Sequence, residues 1–133
     1  MNASFEHVRQ LNLPAGKFAV FGSGPLVARG IRGSEEADII VTEDLFKQLA
    51  KDESWDKVEL RDHHQSLRKG DLEIFYTWAP GAWDVAELIR TAEGIDGLPF
   101  VRLEAVIEWK QLRNEVKDQE DLKLIEEYRT AHQ

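Results

Sequence analysis

The sequence predicts an α+β fold: a small mixed β-sheet flanked by helices and closed by a C-terminal helical segment. Two observations carry that expectation. Short apolar runs at residues 17–21, 37–41 and 71–78 have the length and composition of strands, and stretches of helical periodicity lie between them. Beyond residue 100 the pattern is helical only, so strands interleaved with helices come first and helices last.

Phe5, Val8 and Leu11 recur at helical spacing, and Pro14, Ala15 and Gly16 break that helix. Residues 17–21 then form a short apolar strand ending in the tight turn Gly22, Ser23, Gly24 and Pro25. Pro25 suits the first position of a helix running to about Arg32. Residues 37–41 read as a buried strand, and Thr42 as the N-cap of a helix carrying Leu45, Phe46 and Leu49. Trp55, Val58 and Leu60 mark an irregular strand. Residues 66–68, a turn at Lys69 and Gly70, and residues 71–78 make a hairpin. Residues 83–92 are helical, with a break at 96–99. Residues 103–112 are amphipathic, with Leu103, Val106, Ile107 and Lys110 on one side, and residues 118–128 carry Leu122, Ile125 and Tyr128 on a buried stripe.

A chain of 133 residues fits one domain, 1–133, with one ordinary core. A hydrophobic content of 42% beside 32% charged residues fits a globular protein, and no apolar run approaches the ~18 residues of a membrane span. The first residues have neither the basic start nor the apolar run of a signal peptide, and without cysteine there is no disulfide framework or thiol nucleophile. A cytoplasmic location is the expectation. With 17 Lys and Arg against 25 Asp and Glu, the net charge of −8 argues against a broad surface for extended nucleic acid. Arg29 and Arg32 could still form a local pocket for one nucleotide.

Chemistry concentrates at three places. The turn at Gly22 and Ser23 follows a strand and opens a helix, where backbone N–H groups receive phosphate oxygens; the same turn serves equally as a plain connection. Glu36 and Asp38 stand two apart, so on a strand both carboxylates share a face, roughly 6–7 Å apart. They are a metal-binding pair or simply two acids at a strand entrance. Asp38 directly precedes Ile39, Ile40 and Val41, where an unpaired charge is costly. Glu73, between Leu72 and Ile74, makes the same demand, which a neighbouring arginine or a cation would meet. If the two strands are adjacent, the acids converge, and Mg²⁺ suits such an oxygen donor set. His63 and His64 lack a third ligand nearby and read as a solvated loop; the tryptophans read as packing, with one available as a stacking wall for a base.

The order Gly22 and Ser23, then Glu36 and Asp38, then Glu73 resembles the minimal nucleotidyltransferases of the DNA-polymerase-β-like superfamily. So do residues 18–32 and a tail with Leu103, Ile107, Trp109, Lys110, Arg113, Lys117, Asp118 and Asp121. The resemblance spans nearly the whole chain and implies a polymerase-β-like fold and transfer of a nucleoside monophosphate from NTP to a hydroxyl acceptor. It implies Glu36, Asp38 and Glu73 as metal ligands for two Mg²⁺ ions, with Glu73 able to act as base, and Gly22 and Ser23 as phosphate cradle. Arg29, Arg32, Lys110 and Lys117 are phosphate partners in the same reading, with a helix cap and ion pair as the alternative for Lys117 and Asp118. In the ligand-free protein at least one of Arg29 and Arg32 is expected to pair with a site carboxylate. The first acid of the family pattern is ordinarily Asp, and Glu36 displaces its carboxylate by ~1.5 Å where sites tolerate ~0.5 Å. The resemblance leaves the acceptor open between a small molecule, a protein tyrosine and an RNA end, the net charge making long nucleic acid the least favoured. The competing function is a catalytically degenerate domain that binds a nucleotide or a protein partner, as an antitoxin-like module.

Overall fold

The computed structural model describes residues 2–133. Helix α1 (Ala3–Gln10) starts at Asn2, whose side chain accepts from the N–H groups of Ser4 and Phe5. Then follow β1 (Phe18–Phe21), α2 (Gly24–Ala28), β2 (Ala37–Val41), α3 (Glu43–Leu49) and β3 (Asp56–Glu59). A short 3₁₀ turn at Arg61–His63 leads into β4 (Gln65–Lys69) and β5 (Leu72–Phe75). The chain closes with α4 (Val85–Arg90), β6 (Glu93–Ile95), β7 (Leu98–Phe100), α5 (Leu103–Arg113) and α6 (Val116–Ala131).

The fold is mixed α+β, with seven strands in the order β3-β4-β5-β2-β1-β7-β6. At its centre β2 runs antiparallel to β1 and parallel to β5. Alternation along β2 sends Ala37, Ile39 and Val41 into one apolar layer with α1 and α3, through Phe5, Val8, Leu45 and Phe46. Ile40 faces the second layer, where Phe21, Val106, Trp109 and Ile125 join it from β1, α5 and α6. Asp38 has the parity of Ile40, so the sheet sends its carboxylate toward the second layer.

Several boundaries differ from the sequence reading, each for a local reason. Helix α2 stops at Ala28 rather than near Arg32, because the N–H groups of Gly30 and Ile31 turn back to the carbonyls of Val27 and Leu26. Helix α4 starts at Val85 rather than Trp83, since the Asp84 side chain caps it by accepting from the Glu87 N–H at 3.2 Å. The break at 96–99 is a hairpin between β6 and β7. Asp96 and Gly97 both have positive φ, 50° and 81°, the conformation of a two-residue hairpin turn. Helix α6 begins at Val116 because Glu115 and Asp118 close a reciprocal capping box.

Candidate active site

Strand register brings the two central acids together. Asp38 of β2 lies opposite Glu73 of β5 in the parallel ladder, so both side chains leave the same face of the sheet from adjacent strands. Antiparallel pairing of β1 and β2 sets Phe21 against Asp38, which puts the next residue, Gly22, beside the Asp38 carboxylate. A Cβ on Gly22 would stand 2.5 Å from Asp38 Oδ2, and its φ of 59° is one that side chains rarely adopt. Only glycine lets the turn approach this carboxylate.

Burial pushes the Asp38 carboxyl up to about 6, and the negative charges of Glu73 and Glu36 add to that; Arg113 and Arg68 oppose it. Glu73 is better provided for. Its Oε2 accepts from the Ser66 hydroxyl at 2.5 Å and its Oε1 from Arg68 Nη2 at 3.0 Å. Arg68 is the register partner of Glu73 on β4, and its guanidinium is held above its ordinary pKa chiefly by that hydrogen bond. Glu36 is exposed, ahead of β2, and lines a cavity of about 190 Å³ together with Asp38, Arg68 and Glu73.

The other residues expected at the site have defined partners of their own. Ser23 accepts a hydrogen bond from Arg32 Nη2 at 2.8 Å, and Arg32 also makes a two-pronged pair with Asp121 at 2.7 and 3.0 Å. Arg29 is nearly buried, donating to the Pro25 carbonyl at 2.8 Å and to Glu93 at 3.1 Å. Neither arginine pairs with Glu36, Asp38 or Glu73, contrary to expectation; the arginine on a site carboxylate is Arg68, the cross-strand neighbour of Glu73. The sequence reading passed over it because cross-strand register was needed to find it. Lys110 is 1% exposed, bound to Asp121 at 2.9 Å and to Asp118 at 3.5 Å. Its neighbour Arg113 forks onto Asp118 at 2.8 and 2.6 Å and stacks on Trp109. Burial works against the charge of Asp118, yet the bonds from Arg113 and the Glu115 N–H hold its carboxyl down to about 2. Lys117 is exposed, its ammonium 4.0 Å from Glu115.

No group of three or more His, Asp or Glu side chains among the described residues is arranged to hold a metal ion. The donor chemistry of Asp38 and Glu73 nonetheless fits Mg²⁺, which usually takes one or two carboxylates and fills its remaining positions with water and phosphate oxygens. A cation there would relieve the repulsion from Glu73 and Glu36 that adds to burial in raising the Asp38 carboxyl. His64, read as part of a solvated loop, is half-buried, bonded through Nδ1 to the Tyr76 hydroxyl at 3.0 Å, and lines a second cleft with Asp38. Among the described residues no helix is long and apolar enough to cross a membrane. No protein-family model, curated protein or solved structure matches the chain.

Proposed function

We propose that the protein is a Mg²⁺-dependent nucleotidyltransferase of polymerase-β-like fold, moving a nucleoside monophosphate from NTP to a hydroxyl acceptor in the cytoplasm. The observation that carries this reading is the in-register pair of Asp38 and Glu73, on adjacent parallel strands, with the Gly22 backbone packed against the Asp38 carboxylate. Asp38 and Glu73 would hold the metal, and Glu36, at the rim of the same cavity, would reach it through water. When bound, Mg²⁺ supplies charge stabilisation to the attacking and leaving oxygens of a phosphoryl transfer. Glu73, held by Ser66 and Arg68, accepts the acceptor's proton. Ser23, fixed by Arg32, orients the turn toward phosphate, and Arg68 shifts from Glu73 to phosphate charge.

A second reading, a degenerate domain that binds a nucleotide or a protein partner without turnover, draws on Glu36. That acid is exposed outside β2, where the family pattern has an Asp. Calorimetry with a non-hydrolysable NTP and Mg²⁺ tests both readings on Asp38→Asn and Glu36→Gln. Asp38 is held by the sheet, whereas ordering the freer Glu36 side chain costs up to about 1 kcal/mol more. The expected result is metal-dependent binding that Asp38→Asn weakens more than Glu36→Gln. Equal losses, or losses that persist in chelator, would remove these acids from the metal site. Binding to wild-type protein without pyrophosphate release from NTP across acceptor pools would favour the degenerate domain.

A further inference from the structure

Asp38 also lines a cleft of about 590 Å³ that the carboxylate pair does not use. Its volume is that of a small-molecule site. One wall is a cluster of rings. Trp78 and Trp109 meet at 5.1 Å between centroids, Phe75 stands edge-on to Trp78 at 5.1 Å, and the Arg113 guanidinium lies 4.3 Å from the Trp109 ring. Phe21 stacks behind Trp78 at 4.4 Å and 12°, and the Trp109 indole N–H is fixed on the Ala79 carbonyl at 3.0 Å. The wall is therefore rigid before any ligand arrives.

A planar ring gains more on such a wall than an aliphatic group of equal area, because offset stacking and contact with guanidinium add to burial. Polar groups around the wall fit a ring with heteroatoms. The Trp78 indole N–H is buried and, like Thr42 Oγ1 elsewhere in the fold, has no hydrogen-bond partner among the described residues. His64, its Nδ1 engaged with Tyr76, keeps Nε2 for a further bond. The loop bearing Asp62 and His64 is strained: Asp62 and His63 are consecutive non-glycine residues at φ 59° and 62°. Such conformations collect at ligand sites.

We propose that this cleft binds a planar heteroaromatic ring, stacked against Trp78 and the Arg113 guanidinium with the buried Trp109 supporting both, hydrogen-bonded along its heteroatom edge, with its substituent directed to Asp38. The site stands on its own geometry; only the origin of the ring rests on the nucleotidyltransferase reading. There the ring is the base of the nucleotide.

The test is a titration of the native protein in chelator with adenosine and, separately, with tyrosinamide, read by tryptophan fluorescence and by indole N–H signals in NMR. The expected result is a shift of the Trp78 and Trp109 signals, with Trp55, buried in the other apolar layer, unmoved. A response to adenosine supports the proposal and assigns the ring to the nucleotide, whereas a response to tyrosinamide alone, whose ring holds no heteroatom, would overturn it. Ala79→Leu narrows the cleft from an exposed position and should weaken the response roughly tenfold at unchanged melting temperature. Silence toward both ligands, or equal shifts at Trp55, would overturn the proposal. Inorganic tripolyphosphate with Mg²⁺ is the separating arm. Its failure to bind would strike the metal and phosphate reading and leave the ring cleft standing.

Discussion

Asp38 carries the sharpest consequence at the scale of a single residue. Its carboxyl is raised from 3.8 to about 6, by burial first and by Glu73 and Glu36 next, so the folded protein holds this proton more tightly than the unfolded chain does. Below about pH 4 both states are protonated and Asp38 costs nothing. As pH rises from there through 6 the unfolded chain ionises first, and above 6 the full penalty stands, of order 1–3 kcal/mol. In chelator, Asp38→Asn should therefore be more stable than wild type at neutral pH, with an advantage that shrinks toward pH 4. Urea midpoints measured across that range check it; a difference independent of pH would mean that the charge is not the cause.

At the scale of elements, a buried chain of ion pairs holds the helical side together. Asp121 of α6 receives Arg32 and Lys110, and Asp118 receives Arg113 and Lys110, so two carboxylates on one helix tie α5 to the segment after α2. Asp118 is 0% exposed and also caps its own helix by accepting the Glu115 N–H at 3.0 Å. Removing it strands Arg113 and the cap donor, and leaves Lys110 with one partner. Asp118→Ala is expected to destabilise by about 3–5 kcal/mol, and Asp118→Asn, which keeps an acceptor for the cap, by less. Glu115→Gln, exposed, should cost under about 1 kcal/mol. Denaturant unfolding of the three variants orders them; a mild Asp118→Ala would show that the network is not what holds α5 and α6. Of the Lys117 and Asp118 pair, read in sequence as either phosphate contact or cap and ion pair, Asp118 makes both the cap and an ion pair with Arg113, while Lys117 stays exposed beside Glu115.

At the scale of the whole molecule, charge selects partners. A net charge of −8 repels a polyphosphate backbone, and Arg32, Lys110 and Arg113 already have carboxylate partners within the fold. Single-stranded RNA is therefore expected to show no retention in filter binding at low salt, where electrostatic binding is strongest. Retention that fades steeply with salt would reveal a basic track that charge and pairing argue against.

What the sequence determined by itself is local. Apolar runs gave β1, β2 and β5, periodic stripes gave α1, α3, α5 and α6, although Thr42, read as the cap of α3, makes no capping hydrogen bond through its side chain, and the acids inside apolar strands, Asp38 and Glu73, stood out because burying a charge there demands a partner. The Asp96 and Gly97 turn was legible as a break but not as a hairpin, since β6 and β7 are three residues each and take their place from pairing with β1. What tertiary structure decided is which partner each charge meets. Register set Arg68, not Arg29 or Arg32, on Glu73, and helix packing sent Lys110 and Arg32 to Asp121. Burial and periodicity act over a few residues and can be read along the chain, whereas an ion pair between residues 32 and 121 depends on distances that exist only once the chain has folded.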